Sequence, residues 1–98
     1  MSIDAILDEF ADDGVFELAA GPEPCGERFQ GTAAIRTALE RMFTGPSFTL
    51  ENASRWIAGD RAVSEWTYVA RGCDLFELRD GKVARKDTYL KQVIAPKA

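Results

Sequence analysis

The chain has no histidine and only two cysteines, Cys25 and Cys73, far apart in sequence. A histidine-based zinc site, a Ser–His–Asp triad and a Cys–His pair are therefore excluded. The cysteine spacing matches no metal motif, so no metal or other cofactor is expected. No apolar run approaches the roughly 18 residues of a membrane span. The net charge is −4, and no basic stripe offers the clustered Lys and Arg that phosphate neutralisation needs. The one local basic excess, Lys82, Arg85, Lys86, Lys91 and Lys97, is interleaved with Asp87 and reads as a solvated strand. Neither nucleic acid nor membrane is an expected partner. No signal-peptide pattern opens the chain, so two reduced thiols in a cytoplasm is the simplest expectation. There is no repeat, linker or low-complexity stretch, and 98 residues suffice for one core but not two, so residues 1–98 are expected to form a single domain.

What is present is an ordinary globular balance, 46% apolar and 29% charged. Ser2 is placed to cap a helix whose stripe is Ile3, Ile6, Leu7 and Phe10, ended by Asp12-Asp13-Gly14. Val15 to Ala19 reads as a short strand, Gly21 to Gly26 as a loop with two prolines and two glycines, and Glu27 to Gln30 as another short strand. Thr32 is the predicted cap of a second helix, with Ile35, Ala38, Leu39, Met42 and Phe43 as its buried stripe and Gly45-Pro46 as its stop. Strands are predicted at Ser47–Ala58, Arg61–Arg71, Cys73–Arg79 and Lys82–Val93, with turns at Gly59-Asp60 and Asp80-Gly81. Helices and short strands followed by an antiparallel meander give an α+β fold, a curved sheet with helices on one face.

Three stretches resemble the nuclear transport factor 2-like superfamily, close to its SnoaL-like and ketosteroid isomerase-like branch. They are Phe10-Ala11-Asp12-Asp13, Gly31-Thr32-Ala33-Ala34-Ile35-Arg36, and Asp74-Leu75-Phe76-Glu77-Leu78-Arg79-Asp80-Gly81-Lys82-Val83, with Tyr89 following. Their order and spacing are more specific for the fold than for any chemistry. The resemblance implies a cone: a bent antiparallel sheet wrapped around N-terminal helices, of the cystatin-like kind, enclosing an apolar pocket and pairing as a homodimer through the sheet. The helix at Ser2 to Phe10 matches the family's second helix, and its long first helix has no counterpart in this sequence. Uncovered apolar surface would follow, which raises the expectation of an oligomer.

The resemblance also singles out Asp74. The matching position in ketosteroid isomerase carries a carboxylic acid kept neutral by an apolar site so that it donates to a developing oxyanion. The rest of that machinery is absent. Leu18 aligns with the base, and Glu17 is turned to the opposite face by strand alternation. Limonene epoxide hydrolase activates water with an Asp–Arg–Asp set, and Tyr68, Trp66 and Thr88 stand at the closest positions. A different reading pairs Asp74 with Lys86. A type I turn with Gly81 as a bulge sets Asp74 opposite Lys86, whereas a two-residue turn sets it opposite Asp87, and carboxylate repulsion favours the bulged register. Asp74 is then an ionised anchor or base, or a purely structural partner.

The expected site comprises Asp74 and Tyr68 as candidate catalytic groups. Its ligand-binding wall is Phe16, Leu18, Leu39, Met42, Phe43, Ser64, Trp66, Tyr68, Phe76, Lys86, Thr88 and Leu90, residues that equally serve as core. The outer sheet face is expected to carry Val63, Glu65, Thr67, Val83, Arg85 and Tyr89. Cys73 points away from Asp74 and has no base to activate it. Three functions follow in order: binding of an apolar small molecule, isomerisation or cyclisation of an apolar carbonyl compound through Asp74, and dimerisation or protein interaction.

Overall fold

The computed structural model describes residues 2–43 and 49–94. The Gly45-Pro46 helix stop and the start of the strand predicted at Ser47 lie outside the described residues. Along the chain run α1 (Ile3–Glu9), β1 (Phe10–Glu23), β2 (Gly26–Gln30), α2 (Thr32–Met42), β3 (Glu51–Ala58), β4 (Arg61–Tyr68), β5 (Ala70–Arg79) and β6 (Lys82–Leu90). The strands make one six-stranded sheet in the order β2-β1-β6-β5-β4-β3. All pairings are antiparallel except β1 with β6, which is parallel.

The helices form where the apolar period is helical. Ser2 caps α1, its hydroxyl accepting from the Ala5 N–H at 3.1 Å. α2 starts differently from expectation. Gly31, not Thr32, is its cap, with φ of 86° and no side-chain cap bond. Its N–H donates to the Gly14 carbonyl at 2.8 Å, tying the helix start to β1. Ile35, Ala38 and Leu39 are fully buried against Phe10, Phe16, Phe76 and Val83.

Asp12-Asp13-Gly14 does not end α1. The helix stops at Glu9, Phe10 caps it with extended backbone, and the turn-forming triplet becomes an irregularity inside β1. There the register with β6 slips from Phe10↔Val83 to Val15↔Arg85. β1 also runs on past Ala19, so that Gly21 to Glu23 are strand and the loop shrinks to Pro24-Cys25.

The break between β4 and β5 is not at Gly72 but at Val69. Gly72 stays in the strand, with the Trp66 ring lying over it: a Cβ there would stand 2.5 Å from the indole. The turn falls instead on Val69, 92% exposed, at φ of 64°. A β-branched residue is strained in that left-handed region.

The last hairpin takes neither of the two anticipated registers. Asp80-Gly81 is a two-residue turn with Arg79↔Lys82 and Leu78↔Val83, but the next pair is Glu77↔Arg85. Ala84 is an extra residue, a bulge on β6. Asp74 therefore faces Thr88, not Lys86 or Asp87. The bulge also corrects the outer-face assignment of Val83, which is buried in the core beside Phe76. Arg85, beyond the bulge, does lie on the outer face, where it binds Glu17 at 2.6 Å.

Relief of the Val69 strain gives a stability prediction. Val69→Gly is expected to stabilise the domain by about 0.5–1 kcal/mol, the left-handed penalty less the extra unfolded-state freedom of glycine. Urea denaturation measures it, and an unchanged or lower midpoint contradicts the strain.

Candidate functional site

Alternation along β4, β5 and β6 brings Ser64, Trp66, Asp74, Phe76, Lys86 and Thr88 to the concave face, over which the helices lie. Asp74 is 4% exposed. Its Oδ2 accepts from Trp66 Nε1 at 2.8 Å and its Oδ1 accepts from Thr88 Oγ1 at 2.6 Å. Both partners follow from register. Thr88 is its direct cross-strand neighbour, and Trp66 is the diagonal one, free to lie across Gly72. Each carboxyl oxygen of Asp74 thus has its own hydrogen-bond partner.

Lys86 completes the group. Its Nζ is 3.9 Å from Asp74 Oδ2, so the anticipated pairing exists as an ion pair but is longer than a hydrogen bond. The ammonium sits between two ring faces, 5.3 Å from the Phe16 centroid and 5.9 Å from that of Phe76. Both are cation–π contacts.

These residues border two adjoining spaces. An apolar cavity of about 240 Å³ lies between α2 and the concave face. Of the anticipated wall, Phe16, Leu18, Leu39, Met42 and Phe43 come to it from β1 and the α2 side, and Trp66, Tyr68, Lys86, Thr88 and Leu90 from the sheet, with Asp74 among them. The Tyr68 ring packs edge-on against Phe43 at 5.0 Å. Ser64 and Phe76 do not reach this cavity. They line a neighbouring groove of about 350 Å³ towards β3, which shares Ile6, Leu50, Asp74 and Lys86 with it. Sequence reasoning missed Ile6, Ala19, Ala20, Leu50 and Arg55. The length of β1 would have pointed to the alanines. Arg55 stands opposite Ser64, and a register for the β3–β4 hairpin would have found it.

A larger groove, about 720 Å³, runs along α1 and the β5–β6 turn, with Arg36, Arg79 and Lys82 among its residues. All three are already engaged: Arg36 with Asp4 at 2.6 Å, Arg79 with Asp13, and Lys82 with the Asp8 carbonyl at 2.8 Å. A buried carboxylate, an ammonium and an apolar cavity meet instead at the concave face, around Asp74. On the other sheet face Glu17 is 2% exposed and bound by Arg85, turned away from the cavity as expected. Among the described residues no cluster of carboxylates and thiols could hold a metal ion, and no helix is long and apolar enough to cross a membrane.

Two predictions follow from this geometry. Asp74→Ala strands a buried indole N–H and the Lys86 charge, and should cost about 2–4 kcal/mol. Asp74→Asn keeps an acceptor for Trp66 and should cost less than half of that, as read by urea denaturation. Equal losses would mean that the hydrogen bonds are not what Asp74 supplies. Burial pushes the Cys73 thiol up, and the charges of Asp74, Glu65 and Asp87 add to it. Less thiolate is present at a given pH, so iodoacetamide should modify Cys73 more slowly than free cysteine at about pH 8, as followed by peptide mapping.

Comparison with known proteins agrees with this fold. The sequence profile of the SnoaL-like domain matches residues 1–86. No curated protein matches the chain. Among solved structures, a nuclear transport factor 2-like protein of unknown function from Burkholderia xenovorans superposes with a TM-score of 0.72 at 23% identity, over 97% of this chain and 74% of that one. A Xanthomonas campestris protein with a polyketide-cyclase designation gives 0.72 at 27% identity, over 89% and 76%. A ketosteroid isomerase-like fold from Catenulispora acidiphila, in complex with trimethylamine, gives 0.66 at 20% identity, over 91% and 75%.

Proposed function

The chain belongs to the SnoaL-like domain family, and we propose that this member binds a small apolar molecule in the cavity between α2 and the concave sheet face. The observation that carries the reading is a wall of Leu39, Met42, Phe43 and Tyr68 facing one fixed polar group, Asp74 held by Trp66 and Thr88. Ligand pockets have this composition, a mostly apolar lining with few placed polar groups. At about 240 Å³ the cavity is small for its kind and suits a compact ligand. Native mass spectrometry of gently purified protein is expected to find an organic mass that denaturation releases. Met42→Trp, which fills the cavity, should abolish it while leaving the circular dichroism spectrum unchanged. A wild-type protein that carries no such mass and takes up no apolar dye would refute the reading.

Catalysis on an apolar carbonyl compound is the second reading. It is favoured by the position of Asp74 on the border of both spaces and by the cyclase designation of the Xanthomonas relative. In it Asp74 acts as the acid or base, and Tyr68 is the candidate donor to the carbonyl. Asp74→Asn separates the readings: lost turnover of the co-purified compound with retained binding supports catalysis, and unchanged binding and turnover removes it.

Pairing of two copies through the outer sheet face is the matching proposal for assembly. Trp56, Val63 and Leu75 form a cross-strand row there, with Trp56 and Leu75 exposed. Leu75→Glu should shift sedimentation from dimer to monomer. A wild type that already sediments as a monomer would end the proposal.

A further inference from the structure

We propose that the ligand is an organic anion: an apolar body in the cavity, with a carboxylate-like headgroup in the adjoining groove between Lys86 and Arg55. This rests on the pocket reading above and adds the chemical class.

Lys86 is the first reason. Its side chain is 16% exposed, and it borders both spaces. The oxygens of Asp74 are taken by Trp66 and Thr88. Lys86 is left with an ion pair at 3.9 Å and ring-face contacts, and makes no hydrogen bond among the described residues. An ammonium has N–H groups to donate, and a half-desolvated one gains most from an anionic acceptor.

Arg55 is the second. It borders the same groove from β3, and its guanidinium lies over the Phe76 ring at 5.8 Å from the centroid. Phe76 is thus contacted by two cations, Arg55 and Lys86. Arg55 has no carboxylate partner among the described residues. Most other arginines of the chain do: Arg36, Arg41, Arg61, Arg79 and Arg85 are each in an ion pair. The hydroxyl of Ser64 borders the groove as well. Glu9 is the groove's other carboxylate, exposed at the end of α1, where water screens it. Two cationic donors and a hydroxyl at the mouth of an apolar cavity fit a carboxylate, and a neutral ligand would leave both cations unused.

The test uses a matched dye pair, anilinonaphthalene sulfonate and its uncharged parent phenylnaphthylamine, titrated by fluorescence at low salt. The sulfonate should bind more tightly than the parent. Lys86→Met and Arg55→Gln should each weaken the sulfonate by about tenfold and leave the parent unchanged. Retained parent binding reports that each variant is folded, and Met42→Trp should abolish both dyes. If the dyes bind equally and neither variant discriminates between them, the anion proposal falls while the pocket reading stands. If neither dye binds the wild type, the pocket reading falls and takes the proposal with it.

Discussion

The concave face depends on one extra residue, Ala84. β6 is paired with β5 on one side and with β1 on the other, so its register sets what faces what across the whole site. Side chains alternate with a period of two, and an unbulged β6 would put Val83 and Lys86, three apart, on opposite faces. The bulge lets both point inward. Val83 fills the core beside Phe76, and Lys86 enters the cavity wall. It also sets Thr88 opposite Asp74 and Arg85 within reach of Glu17. A single insertion thereby gives each buried carboxylate of the sheet a partner, one on each face.

Those partners carry different burdens. A buried carboxylate without hydrogen bonds would be strongly destabilising. Asp74 meets this with two neutral donors and a distant cation, Glu17 with a direct arginine contact. The neutral solution leaves the cation of the concave face underused, whereas on the other face Arg85 is shared between Glu17 and, at 3.4 Å, Asp87. The indole that serves Asp74 needs the bare backbone of Gly72 beneath it. Trp66, Gly72, Asp74 and Thr88 are therefore one unit, and disturbing any of them moves the cavity wall.

Much of this was legible in the sequence. The helices showed in the spacing of Ile3, Ile6 and Leu7 and of Ile35, Ala38 and Leu39, and the last hairpin in Asp80-Gly81. The concave set survived an error in register. The preferred pairing differed from the observed one by two residues, and a shift of two preserves the face. Val83 lies before the bulge, so the same reasoning failed for it. The parallel β1–β6 pairing was illegible because it joins residues some seventy positions apart and no local pattern records it. Val69 misled because β-branched residues favour strands, while Gly72, the nearby residue suited to a turn, is packed under Trp66 within the strand. The roles of Asp74 and Lys86 stayed open because both registers under consideration put charge opposite Asp74, and the structure puts a hydroxyl there.

The fold also separates what is stable from what is open. The helices lie nearest β1 and β2, and the largest fully buried side chains, Phe16, Ile35 and Leu39, belong to that half. Every residue of β3 is exposed, including Arg55 and Ile57, whose partners in β4 are the buried Ser64 and Ala62. Among the described residues the concave face is thus packed at one end and uncovered at the other. Asp74 and Lys86 stand at the border, and the groove opens towards β3. A ligand entering from that side would meet Arg55 first, then Lys86, and only then the apolar wall. Charge along the approach would sort ligands before shape does, since Coulombic attraction reaches further than packing contacts. The buried half supplies the apolar wall, and the exposed half leads to it.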